Sequence, residues 1–400
     1  MIVSLVSNIP HYHYLAGGLY NDGLLRRYVT ASSLFSDQSA PAWLPEHWRT
    51  KLAGRRLPDL PHGTVKQIRW PEVLQRGLPM LGLLSAERGN YLNNHLFDKL
   101  AASWVDGCKV LHFVSSVGLY CARRAKAAGA IIVCDVRQEH PAFQRRILEE
   151  EAQRFKLPFT LAGLTYEQKV LDELSLADYI FVPSEHAKRT YLTEGFAAER
   201  LITLPFGVDL DCFSPSSSNR PGFRVVYVGT LTMRKGVQYL LEAFKQARLP
   251  KSELLLVGPL DPAFRPVLAQ YEGVFTYQPS VPKTKLSEVY NSASVFVLPS
   301  LADSFSLATV EAMACGLPVI ISANTGAADL LTDGKDGFVI PIRDAPRLTE
   351  LLSYLYENRD AREAIGHRAR QTAAAQTGER YGQTAAQVYQ QKILAGIVYA

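Results

Sequence analysis

Two doubly wound α/β domains are the fold class this sequence predicts, and three observations carry that expectation. Short β-branched runs alternate with helical patterns from one end to the other. The stretch LPFGVDLDCFSPSSSNRPG, residues 204–222, gathers Pro, Gly and Ser between two complete blocks of that kind. The chain has 400 residues, a length at which one core usually divides into two. Such alternation means parallel sheets covered by helices on both faces. Ligands of these sheets sit beyond the carboxyl ends of the strands, so two facing domains create a cleft. The expected domains are 1–205, completed by a C-terminal helix over 380–400, and 206–379.

Each element follows from its pattern. In the first block the strand runs are MIVSLVS, VLHFVSS, AIIVCDV and YIFVP; in the second they are FRVVYVG, ELLLVG, SVFVLPS, LPVIIS and GFVIPI. Between them, Val237, Leu240, Leu241 and Phe244, and later Leu348, Leu351, Leu352 and Leu355, recur at helical spacing. The C-terminal TGERYGQTAAQVYQQKILAGIVYA reads as a helix.

Composition bounds the function. With 47% hydrophobic and 20% charged residues, the chain is ordinary soluble globular protein. A net charge of +5 does not call for nucleic acid. Residues 1–126 hold about 15 Lys/Arg against about 8 Asp/Glu, including HWRTKLAGRR and CARRAK. That excess is either a solvated face or a docking surface for anionic lipid or an anionic acceptor. The five cysteines are scattered without a CxxC pair, which suggests neither a zinc site nor a disulfide framework and fits a reducing cytosol. No run of about 18 apolar residues occurs and MIVSLVSNIPHYHY lacks a basic n-region. A cytoplasmic protein is expected, with peripheral contact at the inner face of the membrane as the second use of the basic third.

Chemistry concentrates in ADSFSLATVEAMACGLPVI, residues 302–320. A helix starting near Ser304 to Ser306 puts Leu307, Val310, Glu311 and Ala314 on its buried stripe, so a carboxylate sits on the greasy face. Gly316 closes that helix and Pro318 opens the next strand. Unpaired N–H groups near Phe305, Ser306 and Leu307 then face the carboxyl end of a strand, where the helix dipole favours phosphate. At about 1.5 Å rise per residue, Asp303 and Glu311 lie on the order of 8 to 12 Å apart, a span that suits hydroxyls at the two ends of a nucleotide sugar. Spacing alone leaves alternatives open: Glu311 pairing with a nearby Lys or Arg or reaching solvent on a helix rotated from this estimate, and Asp303 serving as a turn or cap residue.

Upstream, GTLTMRKG at 229–236 follows the first strand of the second block. Arg234 and Lys235 there could neutralise a diphosphate, Arg by a bidentate contact and Lys as a point charge. In the first block, Gly17 and Gly18 after strand one form either a plain turn or a loop whose backbone approaches a ligand closely. His140 stands just beyond AIIVCDV at the carboxyl edge, before a Pro-started helix. The HYH at His11 and His13 lacks further ligands, and Asp209-Leu210-Asp211 sits in the interdomain linker, so no metal is assigned to either.

The stretch DSFSLATVEAMACGLPVIISANTGAADLLTDGKDGFVIPIRD resembles the donor-binding half of family 4 of the retaining glycosyltransferases, which has the GT-B architecture. The family pattern is E-x-F-G-x-x-x-x-E-A-M-A-x-G-x-P-V-I, with two acids separated by seven residues, and the likeness runs from RVVYVGTLTMRKGVQYLLEAF to HRARQTAAA. The resemblance implies a GT-B fold and a retaining, metal-independent transfer of a hexosyl group from a nucleotide-diphospho-sugar to a glycan or lipid-linked acceptor, as in polysaccharide assembly. No cofactor beyond that donor substrate is implied. Glu311 would bind the ribose hydroxyls, Asp303 and His140 would face the transferred sugar, and the backbone at Phe305, Ser306 and Leu307 would hold sugar hydroxyls and distal phosphate. Lys235 and Arg234 would meet the diphosphate, Ser280 and Val281 would seat the base, and Gly17 and Gly18 would form a glycine-rich loop. Three positions depart from the pattern. Asp303 replaces Glu, Ser306 replaces Gly, and Thr230 stands in the Arg place of G-R-L, with Arg234 as the substitute. These departures leave a second reading, a nucleotide-sugar-binding scaffold that has lost turnover, and a more distant third, an epimerase or phosphorylase on the same architecture. Acceptor choice is expected in loops 36–63 and 70–92.

Overall fold

The computed structural model describes residues 1–31, 60–61, 63–68, 71, 86–157, 164–216 and 222–395. The loops expected to select the acceptor, the HWRTKLAGRR stretch and linker residues 217–221 therefore lie largely or wholly outside the described residues.

Two parallel sheets form, one per block. The first contains β1 (Val3–Ser7), β2 (Leu25–Thr30), β3 (Val65–Gln67), β4 (Val110–Val114), β5 (Ile131–Asp135), β6 (Tyr179–Val182) and β7 (Leu201–Thr203), in the order 3-2-1-4-5-6-7. The second contains β8 (Phe223–Val228), β9 (Ser252–Val257), β10 (Thr276–Gln278), β11 (Val295–Leu298), β12 (Val319–Ser322) and β13 (Phe338–Ile340), in the order 10-9-8-11-12-13. The central strands β1, β4, β11 and β12 are buried on both faces, which is why they read as continuous apolar runs rather than alternating ones. Strand order reverses between β1 and β4 in one sheet and between β8 and β11 in the other. Those switch points are where parallel sheets open a crevice for ligands.

The two carboxyl edges face each other. Ser184, just past β6, donates its hydroxyl to the Ser304 carbonyl at 2.7 Å, and the Ser304 hydroxyl donates to the Arg137 carbonyl, just past β5. The chain then returns to the first domain: the Gly378–Val388 helix packs on the His13–Asn21 helix, and a parallel bridge joins Thr377 to linker residue Val208. Beyond it, the Tyr389 hydroxyl meets His112 Nδ1 at 2.6 Å inside the first domain's core.

This docking corrects one expectation. Gly17 and Gly18 form no ligand loop; both lie inside the His13–Asn21 helix. A Cβ on Gly18 would fall 2.1 Å from the Gly382 carbonyl oxygen, so the small residue there serves a backbone-to-backbone helix crossing. The basic stretch CARRAK is also largely neutralised locally, with Arg123, Arg124 and Lys126 paired to Asp172, Asp106 and Asp178.

If that crossing holds the returning helix in place, Gly18→Ala should lower unfolding stability by about 1 to 3 kcal/mol through overpacking. Urea unfolding checks this, and an unchanged midpoint would remove the crossing from the account.

Candidate active site

The site is built at the second sheet's switch point. After β8 the chain makes a tight turn, Met233–Lys235, and Gly236 follows in the left-handed region with φ 68°. After β11 comes the loop 299–306, and the backbone of Leu301 donates to the Arg234 carbonyl at 2.8 Å. The two loops are thereby held side by side. Lys235 Nζ reaches Asp303 Oδ2 in an ion pair whose side chains are 15% and 11% exposed. Burial pushes the Lys235 ammonium below its usual value, and the Asp303 charge partly restores it. Arg234 turns its guanidinium onto the Ala302 carbonyl at 2.6 Å; it lies beside the pair but is half committed to the loop. Thr230 is exposed at the end of β8, its carbonyl accepting from the Tyr227 hydroxyl.

The helix carrying the second acid runs Leu307–Ala314, with Ser306 as its cap. Ser306 sits at φ 72°, the conformation for which glycine is the ordinary choice. The serine compensates by accepting from the Thr309 N–H at 3.3 Å. Among the described residues, the N–H groups of Phe305, Ser306 and Leu307 find no acceptor. These are the orphan donors of a helix start, and they follow closely in the chain on Asp303, the partner of Lys235. Phe305 is 2% exposed and packs edge-on against Phe206 of the stretch between the domains. Leu307, expected on the buried stripe, is 38% exposed. The helix is rotated so that Thr309, Val310, Ala312 and Met313 face inward and Glu311 stands at the margin.

Glu311 is therefore no internal ion pair. Its partner among the described residues is the Tyr290 hydroxyl, 2.9 Å from Oε2. Burial raises its proton affinity, opposed by that hydrogen bond and by the charge of Lys283. Tyr290 and Lys283 both belong to the Lys283–Asn291 helix, and the loop leading into that helix carries Ser280 and Val281 beyond β10. One short helix thus connects the position expected to seat a base with the acid expected to hold a pentose.

His140 is placed differently from expectation. It caps the Pro141–Arg154 helix, its Nδ1 accepting from the Ala142 N–H at 3.2 Å, and its ring packs against Tyr191 and Phe196. Burial lowers its proton affinity. Its ring is committed to the first domain's interior, whereas the preceding residue, Glu139, is the one whose charge is felt by Lys235. Sequence reasoning passed over Glu139, Tyr290 and Phe206, since one acid and two aromatics carry no spacing signal. Asp209 lies 3.9 Å from Lys283, and among the described residues no group of three or more His, Cys, Asp or Glu is placed to hold a metal.

The fold is that of GT-B glycosyltransferases: two Rossmann-like parallel-sheet domains with their carboxyl edges opposed. Over 98% of its length the chain superposes on sucrose-phosphate synthase of Thermosynechococcus elongatus, at a TM-score of 0.67 and 20% identity, covering 99% of that protein. It also matches HepE of Anabaena in complex with UDP-glucose, at a TM-score of 0.64 and 16% identity, over 98% of this chain and 100% of that one. Residues 213–372, which contain the whole cluster around Lys235, Asp303 and Glu311, match the family model of glycosyl transferases group 1. A curated relative is the capsular polysaccharide biosynthesis glycosyltransferase CapM of Staphylococcus aureus, 29% identical over 234 residues, 53% of this chain and 61% of that one. The chain spans about half the length of the first curated relatives it matches. No helix among the described residues is long and apolar enough to cross a membrane.

Two outcomes test the local physics. Ser306→Gly should change stability by less than about 1 kcal/mol, because relief of the left-handed backbone offsets the lost cap, whereas Ser306→Ala keeps the strain, loses the cap and should cost about 1 to 2 kcal/mol. Denaturant unfolding distinguishes the two. The second outcome concerns His11, whose ring lies against Phe206 and Tyr381. Burial, reinforced by His13, Lys283 and Arg137, lowers its value from 6.5 to about 4. Between those values only the unfolded chain binds the proton, so acidification through that window destabilises the fold by on the order of 3 kcal/mol. His11→Phe, which keeps the aromatic packing, should flatten the acid limb of a stability–pH profile there; an unchanged limb would refute the assignment.

Proposed function

We propose that this chain is a glycosyltransferase that moves a hexosyl group from a nucleotide-diphospho-sugar to a hydroxyl of a glycan or lipid-linked acceptor, retaining the anomeric configuration. The observation that carries the proposal is the juxtaposition of Lys235 and Asp303 with the unpaired N–H groups of Phe305–Leu307, on the helix that also bears Glu311. Positive potential and open donors converge where a diphosphate would lie. The match to glycosyl transferases group 1 over that segment supports the same reading. UDP-hexoses are the first donors to try, because HepE is described with UDP-glucose bound.

On this proposal the bond from the anomeric carbon to the phosphate oxygen breaks, with its electron pair going to the diphosphate. The acceptor oxygen bonds to the anomeric carbon from the same face, and its proton passes to a phosphate oxygen. Lys235, Arg234 and the helix start stabilise the departing charge, so a metal ion is not required for that step. Asp303 orients the sugar and Glu311 grips the pentose. Closure of the lobes excludes water and limits hydrolysis of the donor. A cytoplasmic enzyme of polysaccharide assembly, working at the inner face of the membrane, is the setting that fits such a donor.

The test is ligand-dependent stabilisation. UDP, GDP or ADP at about 100 times its dissociation constant should stabilise the fold by about 2.7 kcal/mol, and Glu311→Gln should weaken binding of the responding nucleotide about 10- to 100-fold. Lys235→Ala should lower turnover of the matching nucleotide sugar by about 100-fold or more. A folded protein whose melting point no nucleoside diphosphate moves would end the proposal. Binding with no release of nucleoside diphosphate from any donor would favour the scaffold reading, and recovery of release in Asp303→Glu would tie that loss to the shortened acid.

A further inference from the structure

We propose that Glu151 is an interdomain positioning residue, a buried carboxylate of the first domain that holds the Lys235-bearing turn of the second domain in place. The proposal rests on the preceding reading only for the consequence in turnover. Glu151 lies in the last turn of the Pro141–Arg154 helix and is 0% exposed, although its neighbour Glu150 is exposed. Oε1 accepts from Gln238 Nε2 at 2.9 Å and from the Tyr239 hydroxyl at 2.6 Å. Oε2 accepts from Arg343 Nε at 2.8 Å. Every one of these donors belongs to the other lobe.

A buried carboxylate is tolerated only when its oxygens are satisfied. Here that satisfaction exists only while the domains are together, which makes the contact a conditional one. Arg343 completes it by reaching Glu150 with Nη1 at 3.1 Å, so that one guanidinium spans two successive acids of the helix end. The guanidinium is aimed from a backbone held at φ 63°, in the left-handed region that arginine seldom adopts.

Gln238 carries the effect to the site. The same Nε2 that meets Glu151 lies 3.2 Å from the Met233 carbonyl, the first residue of the turn that bears Arg234 and Lys235. Meanwhile the other end of the Pro141–Arg154 helix is fed by the loop in which the Arg137 carbonyl accepts from Ser304. Fourteen helical residues span about 21 Å. The helix and the loop that feeds it therefore meet the second domain at both ends, Arg137 at the loop of Asp303 and Glu151 beside the turn of Lys235.

Glu151→Gln preserves volume and, with its oxygen toward Gln238 and Tyr239, keeps both neutral contacts while setting an uncharged NH2 donor against Arg343. Full-length protein carrying Glu199→Cys and Glu357→Cys in a Cys212→Ser background gives one spin label on the exposed surface of each lobe. Distance distributions are then measured with and without UDP. Added to the parent, Glu151→Gln should broaden the distribution toward longer distances by a few ångströms, and Arg343→Lys should fall between parent and Glu151→Gln. With UDP-glucose as probe donor, kcat should drop about tenfold in Glu151→Gln while KM changes less than threefold. A purely structural role would lower the melting point without that split.

Superimposable distributions for parent, Glu151→Gln and Arg343→Lys would overturn the proposal. Should Glu151→Gln fail to fold, Arg343→Ala, altered at a partly exposed position, decides by the same distances. A parent protein that turns over no donor would overturn the functional reading instead, and the distances would still decide the role of Glu151.

Discussion

Gly236 has no side chain because the carbonyl oxygen of Pro299 stands where one would be: a Cβ there would lie 1.8 Å from it. Two loops from neighbouring strands, β8 and β11, are pressed backbone to backbone at this point, and the left-handed φ of the glycine turns the chain into the next helix. The geometry of the site follows from that contact. With Leu301 bonded to the Arg234 carbonyl, the main chain holds the next residue along, Lys235, within reach of Asp303, and their largely buried side chains form an ion pair. Preorganised charge is effective because nothing needs to reorient when a ligand's own charge develops.

The seam between the domains obeys a different rule. It is assembled from single polar contacts: Ser184 to Ser304, Ser304 to Arg137, the Glu185 N–H to Asp329, and the Glu151 cluster. The neutral hydrogen bonds contribute about 1 kcal/mol each net, because water competes for the same groups, and those to the Asp329 and Glu151 carboxylates about 1.5 to 3 kcal/mol. Aromatic edges add to the seam, Phe155 of the first domain meeting Tyr239 of the second and Phe206 of the linker meeting Phe305. The seam is thus held largely by hydrogen bonds, while close backbone packing of Gly18 on Gly382 attaches the returning helix to the first lobe.

Much of this was legible in the sequence, and the parts that were not have a common cause. Strand runs such as SVFVLPS and LPVIIS announced a sheet buried on both faces, since burial on both sides writes itself as an uninterrupted apolar run. Ser306, read as standing where the resembled pattern has glycine, occupies the left-handed position that such a glycine would relieve. Contacts between distant segments left no such trace. Gly17 and Gly18 follow strand one in the manner of a ligand loop, yet the determining neighbour, Gly382, is far along the chain and invisible to local pattern. His140 occupies the expected carboxyl edge, but whether an imidazole there faces outward or caps its own helix is settled by the packing of Tyr191 and Phe196. In the run EEE at 149–151 nothing local marks which acid is buried; the second domain decides it.

The shortened acid at position 303 acquires a physical account from its surroundings. Its backbone is fixed on both sides, the N–H donating to the Asn324 carbonyl and the carbonyl accepting from the Gly326 N–H at 2.7 Å, so its reach is set by side-chain length alone. An aspartate there meets Lys235, and a buried ammonium needs an anion close by to stay charged. On the proposed function, an arriving diphosphate supplies that anion and competes with Asp303 for the same cation. The carboxylate is then released toward the sugar hydroxyls beside it as the phosphate charge takes its place on Lys235. Because Asp303 stays in the site while the diphosphate adds negative charge, Lys235 alone does not balance it, and Arg234 with the open N–H groups of the helix start supply the rest.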